Sequence, residues 1–332
     1  MKALLSTAPG GPETLAIGDL PDPAAAPGEV VVAVRACAVN FPDALIIEDR
    51  YQFKPPRPFA PGGEVAGIIE AAGEGVTGFA PGDRVIAMCL SGGMAEKVAV
   101  PAGAVFALPD GFGFAEGSAL LMTYGTVVHA LVDRGRLVAG ETVLVLGAAG
   151  GVGLAAVEVA SALGARVVAA VSSEEKAAVA RAAGAAVTLV YGAAPFDKDG
   201  SRALANQFKA ALGSGGADVI VDPVGGDYAE PALRAIAWAG RYLVIGFPAG
   251  IPKLPLNLTL LKSCDVCGVF WGEFARRFPQ ENAANVARLF DLWGAGKIGP
   301  QVTQTYALAD GGAAIARLAS RAATGKLVVT LD

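Results

Sequence analysis

Residues Thr142–Ala170, TVLVLGAAGGVGLAAVEVASALGARVVAA, decide how the rest of the chain is read. They open with Val143, Leu144, Val145 and Leu146, an apolar run between Glu141 and Gly147 that suits a strand buried on both faces. A glycine-rich turn follows. Leu154 to Leu163 then has the Ala, Leu, Val and Glu content of a helix, Gly164 supplies its stop, and Arg166 to Ala170 returns to strand character. From Ala148 the turn reads Ala148-Ala149-Gly150-Gly151-Val152-Gly153, the A-x-G-x-x-G form of a dinucleotide fingerprint. Without side chains there, backbone N–H groups and the helix N-terminus can approach a pyrophosphate closely. A bare strand-to-helix turn would need fewer glycines.

The end of the second strand selects the dinucleotide. An NAD site usually places a carboxylate there for the ribose 2′-hydroxyl, whereas a 2′-phosphate needs donors and positive charge. This strand ends Val171-Ser172-Ser173, with Lys176 one turn on, so hydroxyls and an ammonium favour NADPH. Ser172 and Glu175 also read as a capping box opening a helix over Glu174 to Ala183. The two roles are compatible, because a helix N-terminus attracts anions.

A chain of 332 residues exceeds what one core usually fills, so two domains are expected. The net charge of −5 and the absence of any basic run argue against a nucleic-acid partner. Met1 to Leu5 is too short an apolar run for a signal peptide, and the longer apolar stretches are broken by charges and glycines, so a cytoplasmic location is expected. Cys37, Cys89, Cys264 and Cys267 are too scattered for a disulfide framework. Cys264 and Cys267 form a C-x-x-C, but within an expected strand Cys264 to Trp271 their side chains would point to opposite faces. His129 is the only histidine and lies in an apolar helical stretch, which leaves little from which to build a zinc site.

Up to about residue 110 the chain lacks strand–helix alternation. Short strands (Val30 to Ala36, Glu64 to Glu70, Arg84 to Ala87, Ala95 to Val100) separated by Pro/Gly turns predict a mostly antiparallel β domain. One short helix begins after Asn40, with Pro42 in its first turn and Asp43 beside it. Beyond Gly164 the strand–helix rhythm persists: helix to Ala183, strand Ala186 to Tyr191, helix Ser201 to Leu212, strand Ala217 to Asp222, helix Ala229 to Trp238, strand Arg241 to Gly246. Such alternation builds a doubly wound parallel sheet whose ligand crevice lies at the carboxyl ends of its strands. The chain closes with helices Asn282 to Gly294 and Ala309 to Ala323 and a strand Lys326 to Thr330, expected to return to the N-terminal domain.

Taken together, Val39-Asn40-Phe41-Pro42-Asp43, Pro61-Gly62-Gly63-Glu64-Val65-Ala66-Gly67, Gly82-Asp83-Arg84-Val85, Gly147 to Gly153, Asp222-Pro223-Val224-Gly225-Gly226 and Ala323-Thr324-Gly325-Lys326 resemble the zinc-free quinone oxidoreductase branch, zeta-crystallin included, of the medium-chain dehydrogenase/reductase superfamily. The resemblance implies an α/β fold: a GroES-like, β-rich catalytic domain over 1–122 with 277–332, and a Rossmann doubly wound domain over 123–276. Where zinc-containing alcohol dehydrogenases carry a ligand cysteine and a ligand histidine, this chain has Asn40 and Gly63.

The resemblance also implies a cofactor site at Ala149, Gly150, Gly151, Val152 and Gly153, with the nicotinamide near Thr126, Gly246 and Phe247 and the 2′-phosphate near Ser172, Lys176 and Tyr191. Substrate is expected between the domains beside Asn40, Tyr51, Phe270 and Trp271, with Asn40 and Tyr51 as hydrogen-bond donors to a carbonyl oxygen. Each has a plainer alternative: Asn40 as a turn residue before Pro42, Tyr51 as a packed loop aromatic, Phe270 and Trp271 as core. The activity implied is metal-independent, NADPH-dependent reduction of quinones or activated alkenes such as enones. An enoyl-thioester reductase and a non-catalytic, crystallin-like NADPH-binding protein are the alternatives. A homodimer is expected through the Asp265 to Trp271 edge.

Overall fold

A computed structural model describes residues 1–331, and the chain divides into two units: Met1–Met122 with Pro300–Asp332, and Thr123–Gly299. In the first, Val- and Ala-rich strands with alternating faces build a seven-stranded sheet. Its order is Val302–Ala307, Lys326–Thr330, Glu29–Ala38, Glu64–Ala72, Arg84–Met88 and Val105–Ala107, and Lys97–Pro101 pairs with the first half of Glu29–Ala38. All neighbours run antiparallel except Val302–Ala307 with Lys326–Thr330. Val30, Val32, Ile69, Val85 and Leu327 meet in its core with Ile46 and Ile47 of helix α1 (Phe41–Ile47).

The second unit holds six parallel strands in the order Val187–Val190, Arg166–Val171, Thr142–Leu146, Ala217–Asp222, Ile236–Val244 and Asp265–Gly268. The order reverses at Thr142–Leu146, the strand that feeds the glycine-rich turn and helix α2 (Gly151–Ala162). That is where an open α/β sheet holds its ligand. Leu144, Leu146, Val168, Ile220 and Tyr242 are buried together, as expected of strands covered on both faces. Glu158, in the middle of α2, is buried but accepts from the Tyr124 hydroxyl at 2.6 Å and the Gly299 N–H at 3.1 Å.

Three expectations shift. The chain returns to the first unit at residue 300, not 277, because the helix Pro279–Gly294 is bonded into the second unit. Its Asn282 accepts Trp271 Nε1–H at 2.9 Å and its Asn285 donates to Asp133 at 2.8 Å. The expected helix Ala229 to Trp238 stops at Leu233, and Ile236 already begins the next strand. The expected strand Cys264 to Trp271 spans only Asp265–Gly268, and Trp271 opens a helix. Cys264 and Cys267 are both free thiols, and His129 is buried, its ring stacked 4.0 Å from that of Phe274. Among the described residues no helix is long and apolar enough to cross a membrane.

Candidate functional site

The cradle is built from backbone. Gly147 has φ +59°, and a Cβ there would meet Val224 at 2.7 Å, so the exit from the strand demands glycine. Ala148 N–H bonds Ala170 O, Gly150 N–H bonds Gly147 O, and Gly150 then serves as N-cap with no side chain to occupy the helix end. The N–H groups of Gly151, Val152 and Gly153 make no hydrogen bond among the described residues, as the first turn of a helix must leave them. At Gly153 a Cβ would stand 2.2 Å from Gly147 O, whereas at Gly150 the nearest atom is that same oxygen at 3.5 Å. Gly153 therefore closes the turn and Gly150 leaves room above it. Free N–H groups, open space and a helix dipole fit a dinucleotide pyrophosphate.

At the end of the neighbouring strand, Lys176 Nζ donates to Ser172 Oγ at 3.1 Å. The helix cap is Ser173, not Ser172: its hydroxyl accepts Lys176 N–H at 3.3 Å. Releasing Ser172 from capping leaves an exposed hydroxyl beside an ammonium. Tyr191 follows directly on Val187–Val190, its N–H held by Val171 O and its buried ring 4.9 Å from that of Tyr228.

Gly246 and Phe247 follow the strand Ile236–Val244, a Cβ at Gly246 having only Pro223 O within reach, at 3.9 Å, and Phe247 being 48 % exposed. Thr126 lies half-buried in the helical segment 121–134, beside Gly125, against which the Trp271 indole packs so closely that a Cβ would meet it at 2.8 Å. A feature the sequence did not disclose fixes the loop opposite. Buried Asp222 accepts the Tyr242 hydroxyl at 2.6 Å with one oxygen and the Val224 and Gly225 N–H groups at 2.8 Å with the other. The only hint was a tyrosine in an apolar strand, which needs a partner when buried.

In the first unit Asn40 is the N-cap of α1 and 6 % exposed. Its Nδ2 donates to Glu64 at 2.9 Å and weakly to Ala38 O at 3.4 Å, while its Oδ1 accepts from Lys326 Nζ at 2.6 Å. Both ends of the amide are engaged, which corrects the expectation that it donates to a substrate oxygen. Asp43 completes a capping box, accepting Asn40 N–H at 2.7 Å and Gly62 N–H at 3.1 Å. Glu64 also accepts Met122 N–H at 2.9 Å and faces Lys326 Nζ at 3.6 Å. Burial pushes the Glu64 carboxyl up, and the Lys326 ammonium opposes that rise. Lys326 and Glu64 lay inside the motifs quoted above, yet their pairing is set by strand register and was invisible in sequence. Tyr51, half-buried just after α1, has a hydroxyl without a partner among the described residues; burial and then the Asp43 charge raise its pKa, which keeps it a donor.

Phe270 and Trp271, expected to wall the substrate, part company. Phe270 is 62 % exposed, and Trp271 is buried with its N–H spent on Asn282, so Trp271 is a core residue of the second unit.

Comparison with known proteins agrees with both halves of this architecture. Residues 26–110 match the alcohol dehydrogenase GroES-like domain and residues 151–289 the zinc-binding dehydrogenase family. The chain is 35 % identical to the quinone oxidoreductase-like protein 2 homolog of Nematostella vectensis, over 91 % of this chain and 81 % of that one. It is 33 % identical to Sus scrofa quinone oxidoreductase over 97 % and 95 % of the two chains. The chain belongs to the zinc-free quinone oxidoreductase branch of the medium-chain dehydrogenase/reductase superfamily. The crystal structure of Escherichia coli quinone oxidoreductase complexed with NADPH superposes on this oxidoreductase with TM-score 0.90, full coverage of both chains and 28 % identity. Although one matching family model is described as zinc-binding, the residues of this quinone oxidoreductase relative do not fit zinc. Among the described residues no group of three or more His, Cys, Asp or Glu side chains comes together to hold a metal, and the Asn40 oxygen is taken by an ammonium, whose charge would repel a cation.

Proposed function

We propose that the protein is a cytoplasmic, metal-independent reductase that uses NADPH to reduce quinones or activated alkenes such as enones. The observation that carries this reading is the Ser172–Lys176 pair one strand away from the bare Gly150–Gly153 cradle. A hydroxyl and an ammonium where NAD sites place a carboxylate suit a 2′-phosphate. The relative complexed with NADPH supports the same choice.

Pyrophosphate would be held by the N–H groups of Gly151, Val152 and Gly153 under Ala149, and the 2′-phosphate by Ser172 and Lys176 with Tyr191 beside them. The nicotinamide end would lie against Thr126, Gly246 and Phe247. When bound, the reduced nicotinamide supplies a hydride equivalent to an electron-poor carbon. This chain's part is to meet the charge that then builds on the conjugated carbonyl oxygen. With Asn40 committed to Glu64 and Lys326, the Tyr51 hydroxyl is the side-chain donor for that oxygen, and a preorganised donor sheltered from water is worth roughly 3 kcal/mol. Phe270, whose apolar ring is 62 % exposed, is the residue of the second unit assigned to substrate. The protein acts as a homodimer joined through the edge strand Asp265–Gly268.

Steady-state kinetics with a quinone such as 1,2-naphthoquinone test this. Lys176→Ala is expected to raise the NADPH KM by about 10- to 100-fold, the worth of a charge-assisted hydrogen bond, and to leave the NADH KM nearly unchanged. Equal effects on the two cofactors would reject the phosphate assignment, and no turnover with either would reject the enzyme.

A further inference from the structure

One buried side chain in the first unit has no part of its own in the reduction proposed above. Lys326 opens the strand Lys326–Thr330 and is 4 % exposed. A lysine at that depth is costly unless paired. Antiparallel register explains why it is here. Val328 opposes Ala38, Val39 N–H bonds Leu327 O, and Ala38 opposes Glu64 in the next strand. Three neighbouring strands thus deliver Lys326, Asn40 and Glu64 to one spot.

The ammonium makes three contacts there, one of them a weak donation to Val39 O at 3.5 Å. It lies 3.6 Å from the Glu64 carboxylate, and it donates to Asn40 Oδ1 at 2.6 Å. The contact with Asn40 fixes which way its amide faces: with its oxygen on the cation, its NH2 must face Glu64, and it does at 2.9 Å. Asn40 in turn begins α1, whose capping box runs through Asp43 to the Gly62 turn. At its other end α1 is tied down by Arg57, which donates to Ile47 O at 2.9 Å and pairs with Asp49 at 2.8 Å. Helix α1 ends at Ile47, Asp49 turns left-handed with φ +57°, and Arg50 N–H closes back on Leu45 O at 2.9 Å, so the backbone that carries Tyr51 leaves from a turn bonded to the last turn of α1.

We propose that Lys326 is a positioning residue for the reduction: through the Asn40 amide and Glu64 it fixes the start of α1 and thereby the place of the Tyr51 hydroxyl. It touches neither cofactor nor substrate. The proposal rests on the assignment of Tyr51 as donor, and it predicts a separation between stability and turnover that a lysine serving only to balance Glu64 does not give.

The test compares Lys326→Met, Glu64→Gln and the double variant with the wild type. Thermal unfolding, NADPH affinity by fluorescence, quinone kinetics and the side-chain NH2 signals of 15N-labelled Asn40 are read in each. Lys326→Met leaves a buried carboxylate alone and is expected to lower the melting temperature. The double variant removes both charges, so its melting temperature should recover toward wild type. Its quinone kcat/KM should nonetheless stay about tenfold or more below wild type with NADPH affinity within about twofold, and the Asn40 NH2 should lose its protection from exchange. Recovery of kcat/KM together with stability would overturn the proposal, as would a protected Asn40 amide in the double variant. If the single variants fail to fold, the double variant still decides. Absence of quinone turnover in the wild type would sink the functional reading alone, because the Asn40 signals report on Lys326 without any substrate.

Discussion

Asp43 is 2 % exposed, and burial pushes its carboxyl up to about 6 although two backbone N–H groups bond its ionised form. A carboxylate whose pKa is higher folded than unfolded binds more protons in the native state between the two values, so stability is lost as pH rises through that interval. For Asp43 the interval runs from about 4 to about 6, and the loss is on the order of 3 kcal/mol. Urea unfolding of wild type and Asp43→Asn at intervals from pH 4 to pH 7 should show the wild type losing that much relative to the variant. Parallel curves would contradict the assignment. At this scale the sequence was legible where one residue's chemistry suffices and opaque where partners come from far away. Asn40 before Pro42 and Asp43 read correctly as a helix start. That its amide is spent on Lys326 and Glu64 depends on contacts spanning 286 and 24 positions, which no local pattern encodes.

Elements were read best where glycine and apolar runs coincide. The strand Thr142–Leu146, its turn and α2 follow the sequence closely, since a buried strand, a side-chain-free turn and an Ala-rich helix each leave a local signature. Ser172 and Ser173 are both capping residues by type, and only strand length decides between them, so the cap fell one position later. The segment around Trp238 has helical composition, but Tyr242 and Leu243 must reach the sheet core, and tertiary burial overrode propensity. The two glycines of the cradle give a paired prediction. Gly153→Ala forces a Cβ to within 2.2 Å of backbone oxygen and should destabilise the protein by several kcal/mol, on the order of other overpacked sites. Gly150→Ala meets nothing nearer than 3.5 Å and should keep the melting temperature while raising the NADPH KM about tenfold or more. Calorimetry beside cofactor kinetics separates them; a stable Gly153→Ala would undo this account of the turn.

For the whole molecule, the two-unit plan was visible as a switch from strand-only to strand–helix alternation near residue 110. The second crossing was misplaced by about a helix, because Pro279–Gly294 carries no mark of which core its polar contacts will join. The parallel sheet ends at Asp265–Gly268, where Val266 is 40 % exposed and no described strand pairs on the outer side. Light scattering should give about twice the 33.3 kDa chain mass, falling toward one chain in Val266→Lys, since a lysine on a sheet edge opposes pairing. A monomeric wild type would remove the dimer from the proposal. The discontinuity of the first unit carries a cost in time. Thr123–Gly299 is one unbroken stretch and can condense as synthesis proceeds, but the β-rich unit holds Glu64 and Asn40 long before Lys326 leaves the ribosome. Until that lysine is delivered a buried acid waits without its counter-ion, so the half of the protein translated first is the half completed after the other.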